Sequence, residues 1–445
     1  MRKTDILIVG SGCAGLYCAL HLPKEKDITI ITKSQIEQCN SFLAQGGICV
    51  LKDEEDFEAF FEDTLKAGHY ENDKGSVEIM IRSSQDVLKD LLAYGVDFQK
   101  NKEGELVFTK EGAHSANRIL YHEDTTGKEI TSTLLAAVKH QKNISLLEQT
   151  MLIDIVEENN YCYGAMLQMA DGNVEVMQAD AVVIATGGIG GLYEHSTNYG
   201  HITGDAHAIA IKHGVELKNM DYVQIHPTTL YSKEGRSFLI SESVRGEGAV
   251  LRDKEGKRFV NELLPRDLLT KEIWKQMEKD GTDYVWEDLR TIPEQELKAH
   301  FPNIIEQCKK VGYDVFNECI PVVPAQHYFM GGIKVDYHGK TSMEQLYAVG
   351  EAACNGVHGK NRLASNSLLE SLVFAKRAAL NIAEQFKLAD EDNKTVEMDK
   401  EFQMNRERII SQVDLTPYKN LEQLKVEYQR LVKTSIETFR ADENV

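Results

Sequence analysis

A strand that runs straight into closely spaced glycines is a place where backbone can hold a phosphate. Residues 5–9 read Asp-Ile-Leu-Ile-Val, a short β-branched run, and Gly10-Ser11-Gly12-Cys13-Ala14-Gly15 follows at once. From Cys13 to Leu22 the chain carries almost no charge and reads as a helix closed by Pro23, and Ile28–Ile31 reads as a second buried strand. This is a strand–helix–strand unit with G-x-G-x-x-G at its first turn. Gly10 permits the tight turn, Gly12 lets backbone approach a pyrophosphate, and Gly15 lets helix and strand pack closely. The helix N-terminus adds free N–H groups and the positive end of its dipole. The acidic residue that would grip a ribose hydroxyl is absent, because the second strand ends Thr32-Lys33-Ser34. That weakens a plain nicotinamide-dinucleotide reading.

Three later segments could return to the same ligand. Ala181–Gly188 is a buried strand ending in Gly-Gly, and Leu346–Glu351 is another ending in Gly-Glu. Asn366-Ser367-Leu368-Leu369-Glu370-Ser371 opens an apolar helix running to about Gln385. Asparagine or serine there can cap the free N–H groups, and such a helix end suits the negative charge of a reduced flavin. Polar side chains stand between these segments: His226 at a strand end, Ser241-Glu242, Arg266, His327-Tyr328 and Arg362. Each alone would more often be structural, and only their joint placement shifts the odds towards function. With a net charge of −20, the protein offers a dianion no long-range attraction, so a site for one must carry its own arginines and histidines.

Gly10–Gly15, Asn40-Ser41-Phe42-Leu43-Ala44-Gln45-Gly46-Gly47, Ala185-Thr186-Gly187-Gly188 and the run Asn361–Glu370 (NRLASNSLLE) together resemble the succinate dehydrogenase/fumarate reductase flavoprotein family. Within it the pattern is most similar to the L-aspartate oxidase branch, from residue 4 to about 385. The resemblance implies an α/β fold: a Rossmann-like FAD-binding domain (1–231 and 331–388) interrupted by an α+β capping domain (232–330), then a short C-terminal helical segment (389–445). It implies FAD, lined by Gly10, Ser11, Gly12, Cys13, Ala14, Gly15, Lys33, Asn40 to Gly47, Thr186, Gly187, Asp205, Glu351, Ser367 and Leu368. Membrane-bound members attach FAD through a histidine five residues before the glutamine of A-Q-G-G. That position is Asn40 here, so the implied flavin is non-covalent.

By the same resemblance His226, Ser241, His327 and Arg362 hold a dicarboxylate, Arg266 is the acid/base residue, and Glu242 joins it in a relay. The chemistry fits: an arginine can grip a carboxylate bidentately, and histidines add charge-assisted hydrogen bonds. An arginine with a pKa above about 12 can carry protons only within such a relay. The family usually has threonine at the position of Ser241, and the hydroxyl is kept. Glu111, in Lys110-Glu111-Gly112-Ala113-His114-Ser115 followed by Arg118, separates aspartate from succinate, because a carboxylate there can pair with an ammonium group that succinate lacks. The implied reaction is oxidation of L-aspartate to iminoaspartate, the first step of NAD biosynthesis, with oxygen or fumarate reoxidising the flavin. Coupling to quinolinate synthase follows as a hypothesis from the instability of the product.

The elements that must position these groups come from an ordinary globular composition, 42% hydrophobic and 27% charged, which excludes a disordered or fibrous chain. No apolar run reaches 18 residues, so no membrane span is expected. The acidic charge argues against nucleic acid. Eight scattered cysteines without a C-x-x-C pair point away from disulfides or zinc and towards a reducing cytoplasm. Asp53–Lys66 reads as an amphipathic helix with an acidic outer face. His201, His207 and His213 recur every six residues, off a common helix face, and no metal site is expected. Leu421, Leu424, Tyr428, Leu431, Val432 and Phe439 keep helical spacing, suggesting a short helical hairpin packed on the body. The rival readings are a soluble fumarate reductase-type flavoprotein, the flavin subunit of a membrane complex, disfavoured by Asn40, and a non-catalytic FAD-binding sensor or scaffold.

Overall fold

Alternation along the first strand splits the interior in two. In Ile6–Val9, Ile6 and Ile8 point into one apolar core while Leu7 and Val9 point into another. Ala181–Ile184 divides in the same way, with Ala181 and Val183 on one side and Val182 and Ile184 on the other. A strand buried on both faces is the signature of a parallel sheet covered by two layers. The computed structural model, which describes residues 2–232, 236–391 and 396–442, has that sheet. Its order is Leu346–Ala348, Ala181–Ile184, Ile6–Val9, Ile28–Ile31, Ile144–Leu147, with all neighbours parallel.

The first core is filled by the glycine-rich helix Cys13–His21 and by helices Lys74–Tyr94, Thr126–Lys139 and Asn366–Glu391. The second lies under an antiparallel meander, Met151–Glu158, Tyr161–Gln168 and Val174–Gln178, and helix Asp205–Lys212. A separate five-stranded sheet has the order Phe238–Leu239, Val223–Leu230, Ile320–Phe329, Val285–Asp288, Val250–Arg252. With helices Arg266–Asp280, Glu294–His300 and Pro302–Lys310 it makes up the region expected to cap the site, around a third core. Its long central pair starts upstream of residue 232: Val223 packs on the second core, whereas Leu230 belongs to the third. The two strands therefore tie the flavin side to the cap. No helix among the described residues is long and apolar enough to cross a membrane.

One sequence expectation changes here. The helix expected over Asp53–Lys66 is a 3-10 turn, Glu54–Asp56, followed by Phe57–Ala67, and its acidic face is not simply an outer one. Asp56 and Asp63 turn inward onto Arg118, whose side chain is 0% exposed. The C-terminal segment carries the expected helices packed on the body, Val396–Ser411 and Leu421–Asp442. Tyr428, Val432 and Ile436 complete the second core, and the Tyr428 hydroxyl donates to the Ile153 carbonyl at 2.6 Å.

Asp154 anchors this segment. It is buried and accepts from Tyr418, Lys212 and His213, the last at 2.6 Å. Burial works against a charged His213, but the Asp154 carboxylate outweighs it and the histidine pKa is raised. Stability from a raised pKa is fully present below the unfolded value of about 6.5 and is lost as pH climbs through the folded one. In urea unfolding, His213→Gln should therefore cost most stability at about pH 5.5 and progressively less towards about pH 9. A cost that grew with pH would reverse the assignment.

Candidate functional site

One cavity of about 430 Å³ opens where the parallel sheet, the Asn40–Gly47 segment and the cap meet, a size common among cofactor sites. Gly10 to Ala14, Lys33, Asn40 to Gly47, Thr186, Gly187, Asp205, Glu351, Ser367 and Leu368 all line it. Gly15 does not. A Cβ there would lie 2.1 Å from the Gly10 carbonyl oxygen, so Gly15 serves the close packing behind the turn. Gly10 itself, at φ +124°, passes so near Ala185 that a Cβ would fall 2.1 Å from its carbonyl. Lys33 donates to Asp205 at 2.5 Å and to Thr203 at 3.2 Å. The Thr186 hydroxyl is buried without a protein partner. Glu351 accepts from the Phe329 N–H at 2.9 Å, and burial pushes its carboxyl up to about 7.

The same cavity collects Glu111, His226, Ser241, Glu242, Arg266, His327 and Arg362. Two irregularities in the long strand pair aim the histidines. Gln224 pairs with Tyr328 and Ile225 with Gln326, which leaves His327 as a bulge. His226 pairs with Ala325 and Thr229 with Val323, so Pro227-Thr228 bulges on the other strand. Bulges re-aim side chains in this way, and the two imidazoles meet edge to face at 5.2 Å. His226 Nδ1 lies 2.9 Å from the Thr228 carbonyl, and its Nε2 is buried without a protein partner. Burial, then the nearby Arg266, hold the His226 pKa well down; burial, then Arg362, do the same for His327. Both are neutral hydrogen-bonding groups at ordinary pH.

Arg266 Nη1 and Arg362 Nε donate to one oxygen, Gln224 Oε1, at 2.9 and 3.3 Å. Arg266 Nε donates to Glu242 at 2.6 Å, and Arg245 stands 4.0 Å from the same carboxylate. Burial pushes Glu242 up, but Arg266 and Arg245 outweigh it and keep the carboxyl below its ordinary value. Arg362 Nη1 donates to Ser367 at 2.9 Å, and its guanidinium lies over the Tyr328 ring at 4.6 Å. Burial and then Arg266 push Arg362 down to about 10.

Glu111 is 7% exposed. Its two oxygens accept from Ser243 at 2.9 Å and from Ser365 at 2.6 Å. The loop behind it is held by Arg118, which donates to Asp56 at 2.9 and 2.8 Å, to Asp63 at 2.6 Å and to His114 Nδ1 at 3.1 Å. An arginine only donates, so His114 carries its proton on Nε2 and donates to the Ala364 carbonyl at 3.0 Å. The Glu111 loop is thereby tied to the segment that bears Arg362 and Ser365.

Gln224, Ser243, Ser365, Arg245 and Thr197, which bonds His327 Nδ1 at 2.7 Å, were not singled out from sequence. Gln224 had a signal, since it stands two residues before His226 on a strand. Ser243 stands two residues after Ser241, but nothing in its spacing tells of Glu111. His201, His207 and His213 do not converge, and no metal-holding group of three such side chains exists among the described residues.

The family model for an FAD binding domain matches residues 5–368. The L-aspartate oxidase of Clostridium perfringens is 49% identical over 93% of this chain and 94% of its own. That of Clostridium acetobutylicum is 45% identical over 88% and 91%, and that of Bacillus subtilis 40% over 86% and 73%. The chain belongs to the L-aspartate oxidase family. A variant of the E. coli quinol fumarate reductase FrdA superimposes with a TM-score of 0.82 at 31% identity, covering 92% of this chain and 74% of its own. Mycobacterium smegmatis Sdh1 follows with a TM-score of 0.75 at 29% identity, covering 96% and 76%. A 3-ketosteroid dehydrogenase at 12% identity shares the fold alone.

FAD is the cofactor of this L-aspartate oxidase family member, and the glycine turn, the unpartnered Thr186 hydroxyl and the Ser367 helix start fit that group. The clamp under Glu111 yields a stability prediction. Arg118→Met leaves two carboxylates beside an apolar side chain, and breaking such a buried pair costs about 3–5 kcal/mol. Urea unfolding should show a loss of that order; a loss under about 1 kcal/mol would mean the clamp behaves as a surface ion pair.

Proposed function

We propose that the protein oxidises L-aspartate to iminoaspartate, and the observation that carries this is the placement of Glu111. It is a buried carboxylate inside an otherwise anion-binding site, beside Arg362, Arg266, His226, His327 and Ser241. A dicarboxylate without an amino group gains nothing from a negative charge there and is repelled by it. A substrate that carries an ammonium beside its carboxylates turns the same charge into a specific contact.

In this reading Arg362 grips one carboxylate bidentately, and His327 and Ser241 donate to the remaining oxygens, Ser241 by turning its one proton from Ser243 to the substrate. His226 keeps its proton on Nδ1 towards the Thr228 carbonyl and lines the pocket with Nε2 as an acceptor. Glu111 takes the ammonium and so fixes which carbon faces the flavin. Oxidation removes two electrons and two protons from the Cα–N unit. FAD, when bound, supplies the electron acceptor for that oxidation. Arg266 is the group placed to exchange a proton with the substrate, because Glu242 holds its Nε and Arg245 stands behind that carboxylate. The cap excludes water and so strengthens each of these contacts.

The flavin is bound non-covalently in this account, since Asn40 stands where an attaching histidine would be. Oxygen or fumarate reoxidises it, and the oxidation is the first step of NAD biosynthesis, in the cytoplasm. Hand-over to quinolinate synthase remains part of the proposal through the instability of iminoaspartate alone. A second reading, fumarate reduction as the main task, is favoured by the fold shared with the fumarate reductases; Glu111 is the feature that reading leaves without a purpose.

The test is Glu111→Gln in the FAD-loaded enzyme. The KM for L-aspartate should rise about 10–100-fold, the worth of a charged hydrogen bond, while the inhibition constant of succinate stays the same or falls. An unchanged KM for aspartate would retire the assignment of Glu111 and favour the second reading.

A further inference from the structure

Glu111 does not stand alone, and the hydroxyl that meets it from the cap has a geometry of its own. Ser243 is the second residue of the five-residue helix Glu242–Gly246. Its Oγ lies 2.9 Å from Glu111 Oε1. An ionised carboxylate only accepts, so the Ser243 proton is committed to Glu111. The lone pairs of the same oxygen then face Ser241, whose hydroxyl donates to Ser243 Oγ at 3.2 Å without substrate and must turn that one proton to a carboxylate to grip it. The Ser243 N–H donates back to Ser241 Oγ at 3.3 Å. On the flavin side Ser365 donates to Glu111 Oε2 at 2.6 Å and is itself held by the Gly47 N–H at 3.1 Å. The backbone closes the remaining side, for a Cβ at Gly46 would stand 2.6 Å from Glu111 Oε1.

Each oxygen of the carboxylate is thus aimed by one hydroxyl, one from the cap and one from the flavin side. Among the described residues Ser243 is the one that hydrogen-bonds both Glu111 and Ser241, the side chains assigned to the ammonium and to a carboxylate of the same substrate.

We propose that Ser243 is a specificity-determining positioning residue, which aims Glu111 at the substrate ammonium from the cap and couples that contact to the grip of Ser241 on the carboxylate. The proposal rests on the reading of Glu111 given above. It also means that ammonium recognition is complete only when the cap brings its short helix onto the Glu111 loop. A substrate lacking the amino group would not sense the difference.

The experiment compares S243A, S243T and E111Q in the FAD-loaded enzyme, measuring the KM for L-aspartate against the inhibition constant of succinate. Succinate is the same dicarboxylate without the ammonium, so the ratio isolates the amino-group contact. S243A should raise the ratio about tenfold, as expected for one lost hydrogen bond to a charged group, and S243T, which keeps the hydroxyl, should restore it to within about twofold. A ratio unmoved in S243A but raised in E111Q overturns the role of Ser243 and leaves that of Glu111 standing. Aspartate and succinate weakening together in S243A would make the serine a merely structural support and also overturns the proposal. A ratio unmoved in E111Q removes the reading of Glu111 and the proposal with it.

Discussion

Two buried guanidinium groups share one amide oxygen. Arg266 and Arg362, 8% and 5% exposed, both donate to Gln224 Oε1. Like charges in a poorly solvated interior repel strongly, and the push of Arg362 down to about 10 records that repulsion together with burial. Glu242 offsets one of the charges and Gln224, being neutral, offsets neither. In the proposed function a ligand with two negative charges completes the arrangement. Burial holds the pKa values of His226 and His327 down first, and the same arginines add to it, since further protons would join a cationic field.

Much of the architecture serves to hold those groups still. The antiparallel pair Val223–Leu230 and Ile320–Phe329 runs from one core to another, and its two bulges carry the histidines. Arg362 arrives on the segment before the flavin-facing helix, where Tyr328 and Ser367 fix its plane. Arg266 opens the long cap helix Arg266–Asp280. The two arginines therefore come from different parts of the fold, and Gln224 on the bridging strand is where they meet. Glu111 joins through a loop locked by Asp56, Asp63 and Arg118. The hydroxyls of Ser243 and Ser365 fix the direction of its carboxylate.

The dinucleotide end was readable because backbone geometry dictates residue type there. Gly10 must be glycine at φ +124° against Ala185, and the strand–turn–helix order around it is local. His226, Glu242, Arg266, His327 and Arg362 came from a family resemblance, and the structure gathers them around one cavity. What stayed hidden depends on contacts distant in sequence. Asp56 and Asp63 looked like a solvated helix face because their partner Arg118 lies about sixty positions away and is itself wholly buried. Ser243 and Glu111 are 132 positions apart, and no periodicity joins a loop to a cap. The C-terminal helices were visible in outline from their leucine spacing, but not the anchor of Tyr418, Lys212 and His213 on Asp154.

The central claim is that a pocket of arginines and histidines, with the Glu111 carboxylate turned into it, selects an amino dicarboxylate and passes its electrons to the flavin. Anaerobic titration of the FAD-loaded protein, followed by the flavin absorbance, tests it most directly. The account predicts that L-aspartate bleaches the flavin and that succinate at the same concentration does so far more slowly. Bleaching by succinate while L-aspartate leaves the flavin oxidised would contradict it.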